Sequence, residues 1–239
     1  MKSQFLPKEE RGSTNFGWLQ ANFSFSFGNY HNPDRIQFGA LRVLNDDTIA
    51  SGMGFGMHPH ENMEIITIPL QGGLTHRDSM KNQATVKFGE VQVMSAGTGI
   101  QHSEMNASHT EEAKTLQLWI FPEKQNVTPR YDQKKFDLEN NRNSFVNIVS
   151  PHDKNDGNAL WIYQQAYLHL GIFDEEQELN YKIATPNHGA YLFLIEGELE
   201  IDGQTIKSRD AFSATALETL AITTKKKCKI LIIQPPMKL

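Results

Sequence analysis

A chain of 239 residues, 38% hydrophobic, with a net charge of -5 and a single cysteine, has room for one large β domain or two ordinary ones and enough apolar mass to bury a core. The acidic balance lacks the footprint of a nucleic-acid binder, so no direct nucleic-acid partner is expected; the lone Cys228 excludes an internal disulfide, a zinc ribbon or a four-cysteine iron-sulfur cluster and suits a reducing compartment. No stretch approaches the roughly 18 apolar residues of a membrane span and the first ten residues carry no signal-peptide core, which predicts a cytoplasmic protein without a membrane partner.

In chain order, Phe23, Phe25 and Phe27 alternate with Asn22, Ser24 and Ser26, the pattern of a half-buried strand and, as a second reading, of a pocket wall. Residues 36–44 read as a strand closed by the turn Asn45-Asp46-Asp47. His58-Pro59-His60 follows; residues two apart on a strand share a face, so both imidazoles point one way. Phe55, Met57 and Met63 have the opposite parity, which favours core packing on the other face, with a substrate wall as the second reading. Residues 65–70 form a strand ending at Gly72-Gly73, and His76 beyond it is read as a member of a hydrogen-bond network. Strands over 84–88 and 91–94 lead to a second pair of same-face donors, His102-Ser103-Glu104.

A strand over 115–121 is followed by a polar, unpatterned stretch, 122–143, read as the connection between two β units. Further strands are predicted over 145–150, 166–173, 189–195, 198–201 and 220–222. The run Lys225-Lys226-Lys227-Cys228-Lys229 reads as a solvated turn leading into a strand at Ile230. Strands at intervals of about ten residues, with no long helical periodicity, predict an all-β sandwich or barrel architecture. Leu70-Gln71-Gly72 is echoed by Ile195-Glu196-Gly197, and Val86-Lys87 before Glu90 by Ile206-Lys207 before Asp210, which supports two related units. Aligned on these anchors, the positions of His58, His60 and His102 fall on Ile183, Thr185 and Ile222, so the second unit is expected to lack a metal site. His188, without a partner two residues away, is assigned to the surface or a loop.

If the two donor pairs lie on neighbouring strands of one barrel, three imidazoles and a carboxylate can converge on one transition metal. Parity admits Glu64 as well as Glu104. The spacing Gly52, His58-Pro59-His60, Glu64, Gly72 resembles the first cupin motif with one extra residue before the last glycine. Gly89, Ser95-Ala96-Gly97, His102 and Asn106 echo the second, with Ser95 in place of the usual proline and a longer gap before His102. Together with Gly54-Phe55-Gly56, the run from Met94 to Ile100, Gly17-Trp18, Asn29-Tyr30 and Leu41-Arg42-Val43, the chain resembles the pirin family, densely over residues 1–135 and weakly beyond.

The resemblance implies a bicupin: an N-terminal metal-binding barrel, residues 1–135, and a C-terminal barrel without a metal site, residues 136–239. It implies His58, His60, His102 and Glu104 as metal ligands, with Glu104 also the catalytic group and Glu64, the usual cupin position, as its rival. One divalent transition metal is expected, Fe(II) first, with Ni, Mn, Co, Cu and Zn as the other candidates. Some bacterial pirins resemble quercetinases, which implies a dioxygenase acting on a small aromatic substrate such as a flavonol together with O₂. The alternative, drawn from animal pirins, is a redox-responsive regulatory protein with a protein partner. A monomer is expected, because two barrels in one chain already supply the pairing many cupins obtain by dimerising.

Overall fold

One strand displays how the pattern of apolar residues becomes architecture. Along Ala113–Ile120 the side chains of Leu116, Leu118 and Ile120 point to one face and enter a large apolar core, while Gln117 and Trp119 point to the other and line a cavity. The period of two that separates these sets is that of the pleat itself. The structure, a computed structural model, describes residues 1–225 and 227–238, and no helix in it is long and apolar enough to cross a membrane.

Strands dominate, and they form two cupin barrels, each built from a seven-stranded and a four-stranded sheet. In the first, the large sheet runs in the order Arg130–Lys135, Glu90–Ser95, Glu64–Gln71, Ala113–Ile120, Leu41–Ile49, Leu19–Phe23 and Gly12–Asn15, and the small sheet in the order Gly54–His60, Ile100–Asn106, Gly73–Asp78 and Gln83–Lys87. In the second, the large sheet includes Ala211–Thr215, Ala190–Glu196, Cys228–Gln234 and Tyr167–Phe173. One of its two edge strands is Lys2–Leu6, which pairs antiparallel with Ala211–Thr215.

The two large sheets share one apolar core. Leu44, Ile66, Val93 and Leu118 from the first barrel pack with Ile148, Leu168, Phe193 and Leu231 from the second. Leu118→Ala in this seam is expected to lower stability by about 2–5 kcal/mol, read from chemical denaturation, because truncating a fully buried leucine removes transfer energy and leaves a void. The interiors of the barrels differ in kind. The second is filled by Leu192, Leu194, Ile206, Phe212, Ile222 and Ile232, and Ile183 and Ile222, the positions aligned with His60's neighbour His58 and with His102, are buried there. The first holds a band of buried polar groups that includes Asn45, Asp47, Thr67, His76, His102 and Glu104.

Four sequence expectations change. The turn at Asn45-Asp46-Asp47 is the middle of the strand Leu41–Ile49, with Asn45 and Asp47 turned inward. Within the polar connection, Arg130–Lys135 is a strand paired with Glu90–Ser95, since exposed edge strands tolerate a run of polar side chains. His188 lies between strands but is buried, its ring held by Thr185 Oγ1 at 2.6 Å and by the Gln165 carbonyl. The lysine run is not a solvated turn throughout: Lys226 lies outside the described residues, the strand begins at Cys228, and Lys229 is buried beside the Phe88 ring.

Candidate metal centre

The strands Gly54–His60 and Ile100–Asn106 run antiparallel, with His102 opposite His58 and Ile100 opposite His60. Their close pairing depends on Gly54, where a Cβ would stand 2.2 Å from the Glu104 carbonyl oxygen. The register brings the three imidazoles together, with ring centroids 4.4 Å apart for His58 and His102 and 4.9 Å for each of the other two pairs. One nitrogen from each ring lies within 4.8 Å of the others. Burial pushes His60 down to about 4 and His102 to about 2, with His58 adding repulsion in each case, so both rings are neutral and offer lone pairs at neutral pH.

Hydrogen bonds fix which nitrogen carries the proton. Asp78 accepts from the Met80 and Asn82 N–H groups, from Asn82 Nδ2 and, at 3.0 Å, from His76 Nε2. Burial pushes the Asp78 carboxyl up, but the bonds from His76 and Asn82 outweigh it and hold it below the usual range, so it is ionised and can only accept. His76 therefore donates from Nε2, and the tautomer carrying that single proton presents a lone pair at Nδ1. That lone pair faces His102 Nδ1 at 3.5 Å, which must donate. His102 Nε2 is left as a buried acceptor with no partner among the described residues. On His58, Nδ1 donates to the Gly56 carbonyl at 2.8 Å, again freeing Nε2. Two Nε2 atoms that no hydrogen bond engages among the described residues, that of His102 orphaned in the interior, fit a bound divalent ion.

Glu104 lies two residues along the strand from His102, fully buried, opposite Phe55. Its Oε1 accepts from Thr67 Oγ1 at 3.1 Å and its Oε2 from Gln117 Nε2 at 2.6 Å, and the Gln117 amide is oriented by Trp119 Nε1 at 3.2 Å. Burial raises its carboxyl, opposed by these bonds and by His76 and His58. A carboxylate has about four lone-pair sites, so both oxygens retain capacity for a further partner. Glu104 is not within the tight cluster of imidazole nitrogens but shares with His58 and His60 the wall of one cavity.

Glu64 does not line that cavity. Its Oε2 accepts from Ser95 Oγ at 2.6 Å, and burial raises its carboxyl to about 7 against that bond and the attraction of Arg130. Because the folded value lies above the ordinary 4.5, the unfolded chain releases this proton first as pH rises, and stability falls between the two values. Glu64→Gln is expected to be stabilising above pH 7 by up to about 3 kcal/mol, with the difference vanishing below pH 4.5, as urea unfolding of metal-free protein at the two extremes would measure.

The cavity has a volume of about 710 Å³. Trp18, Phe23, Phe27, Tyr30, Phe55 and Trp119 supply its aromatic walls, and Asn45, Asp47, Glu104 and Gln117 its polar side. Phe23 and Phe27 thus line the pocket, whereas Phe25 turns away and packs on Tyr191. Phe55 departs from its parity. Between Phe55 and His58 the strand advances three residues while its partner advances two, from Glu104 to His102. The extra residue is a bulge, which flips Phe55 to the histidine face. Met57 is exposed, and Met63 is half-buried against the cluster around Ile65 and Met94. Asp47, pushed up to about 8 by burial and by the nearby Asp46 and Glu104, keeps its proton at neutral pH. Sequence reasoning missed Asn45, Asp47, Asp78, Gln117 and Tyr131, whose ring stacks on His76 at 4.5 Å. Only Asp78 carried a signal, standing two residues from His76 on one strand.

The sequence pattern of the Pirin family matches residues 6–120, and that of the quercetinase C-terminal cupin domain matches residues 147–234. A quercetin 2,3-dioxygenase of Escherichia coli K12 is 38% identical over 227 residues, covering 95% of this chain and 96% of that protein. A pirin-like protein of Caulobacter vibrioides is 34% identical over 227 residues, covering 95% and 97%. The crystal structure of the bacterial pirin YhhW from Escherichia coli in complex with nickel(II) aligns with a TM-score of 0.92 and 36% identity, covering 98% of this chain and 99% of that one.

Proposed function

Because this chain belongs to the pirin family, we propose that its histidine centre holds a divalent transition metal, Fe(II) first among the candidates, and that the protein is a quercetinase-type dioxygenase cleaving a flavonol with O₂. His58, His60 and His102 would hold the ion through ring nitrogens, with Glu104 as the fourth ligand. Nickel in the Escherichia coli relative supports a divalent site of this kind, and the name of the 38% identical relative supports the reaction. The N-terminal barrel, within residues 1–135, would be the catalytic unit, and the C-terminal barrel, residues 136–239 joined by the strand Lys2–Leu6, the structural one.

The observation that carries the reading is the aromatic cavity opening onto the imidazoles. Its volume, about 710 Å³, is in the range of small-molecule sites, and planar walls suit a planar substrate. A sensor exchanging a surface with a protein partner would present a shallow, exposed centre instead. A divalent ion supplies Lewis acidity that makes a bound hydroxyl easier to deprotonate. The chain's own residues do the rest. Trp18, Phe27 and Phe55 exclude water and sandwich the rings, and Thr67 and Gln117 aim the Glu104 carboxylate. Glu104 then accepts the proton of the substrate's 3-hydroxyl at a carboxylate oxygen.

Protein loaded in turn with Fe, Ni, Mn, Co and Cu is expected to release carbon monoxide from quercetin in air with at least one of these ions, and none under argon. A His58→Ala protein should be inactive. Failure with all five ions would remove quercetin as a substrate.

A further inference from the structure

A second cavity, of about 670 Å³, lies at the junction of the barrels and shares no lining residue with the metal cavity. Ile68 comes from the first barrel, Leu170 and Ile172 from the second, and Phe136 and Leu138 from the segment joining them. These walls are apolar, yet Lys229 stands among them. It is only 9% exposed, its Nζ lies 4.7 Å from the Phe88 ring centroid, and it has no hydrogen-bond or ion-pair partner among the described residues.

The carboxylates at the rim make no hydrogen bond to it, although Glu139 attracts it from a distance. Glu90 accepts from the Lys87 N–H at 2.8 Å, Asp137 from the Asn140 N–H and side-chain amide at 3.1 and 2.6 Å, and Glu139 from Arg142 Nε and Nη2 at 2.9 and 2.6 Å. Burial lowers the Lys229 pKa, opposed by Glu196, its cross-strand neighbour. A largely desolvated ammonium that touches an aromatic face and has no hydrogen-bonded anion among the described residues is electrostatically incomplete, and removing it from water without one is costly. A cavity with apolar walls and one convergent charge has the composition of a small-molecule site.

We propose that this junction cavity binds an amphipathic carboxylate, its apolar body lying along Phe136, Leu138, Leu170 and Ile172 and its carboxylate on Lys229 Nζ. An anion at Lys229 completes the charge pair, and the body displaces water from the apolar walls. Such a ligand touches both barrels and the segment between them, so its binding also braces their junction.

Calorimetric titration of metal-free protein with decanoate, and with decanol as the neutral analogue, tests this. Decanoate is expected to bind, and decanol to bind at least about tenfold more weakly, a ratio within reach of one charge-assisted contact. Lys229→Met should lower decanoate affinity by about tenfold or more while leaving decanol unchanged. Lys229→Arg should retain decanoate, and Leu138→Trp, which fills the cavity, should lose both probes. Absence of decanoate binding to the native protein, equal binding of the two probes, or undiminished decanoate binding by Lys229→Met would overturn the proposal. Should Lys229→Met melt early, the Leu138→Trp arm decides: decanoate binding that survives a filled cavity overturns it equally.

Discussion

His102→Ala is expected to reduce the metal content of the purified protein to trace levels, and any oxygen-dependent turnover with it, while the chain still folds. His102 joins the two other imidazoles to the buried relay behind them, and an alanine leaves two half-buried rings on an edge strand. Elemental analysis and calorimetric titration with nickel or ferrous iron would measure the loss. The variant separates ligand loss from unfolding by its acid behaviour. His102 is held at about 2 in the folded protein against an ordinary 6.5, so the unfolded state takes up a proton as pH falls below 6.5 and metal-free native protein loses stability there. Without that imidazole, the metal-free variant should lose less stability between pH 6.5 and 4 than the metal-free native protein. Native-like metal content in the variant would remove His102 from the centre.

Asp78→Asn should weaken metal binding by about 10- to 100-fold, the range found when partners behind a ligating histidine are lost. The substitution nearly preserves shape, so the effect is a reversed hydrogen-bond polarity at Oδ2, where the Asn82 amide, a donor at 2.9 Å, must also turn. Oδ1 of the new amide can still accept from the Met80 and Asn82 N–H groups, which places Nδ2 where Oδ2 stood, toward His76 Nε2. An amide nitrogen donates, so His76 must accept at Nε2 and carry its proton on Nδ1. His102 then accepts at Nδ1 and carries its proton on Nε2, the atom that would otherwise be free. Ring nitrogen NMR of metal-free protein should detect the exchanged tautomers on both histidines. Unchanged tautomers together with unchanged affinity would mean that Asp78 does not set the protonation of His102.

The sequence exposed those parts of the fold in which local pattern and tertiary role coincide. The clustering of His58, His60 and His102 was legible because same-face donors on a strand must be two apart, whereas spacing left Glu104 and Glu64 open and only the family resemblance chose between them; the strands beside them were legible because apolar alternation survives wherever one face meets the core. Asn45 and Asp47 were read as a turn because residues that favour turns are rarely buried in mid-strand; here they form the polar side of a cavity, a tertiary fact that propensity does not encode. The strand Arg130–Lys135 sits at a sheet edge, where solvent permits polar residues and alternation fades, which concealed Tyr131 behind His76. Phe55 was assigned to the wrong face by a single-residue bulge that shifts parity without leaving a mark in composition. Lys229 was grouped with its charged neighbours, although its strand had already begun.

The pairing of Lys2–Leu6 with Ala211–Thr215 sets an order of events during synthesis. Lys2–Leu6 is synthesised roughly 200 residues ahead of its partner, a delay of about 10–40 s at ordinary elongation rates. Through that interval Phe5 has no core to enter, and the first barrel can close without it. The second barrel's large sheet can be completed only by recapturing Lys2–Leu6, after Ala211–Thr215 has emerged. A bulky fusion placed before Lys2 would therefore obstruct the pairing of Lys2–Leu6 with Ala211–Thr215, and the cost would fall on the barrel remote from the metal.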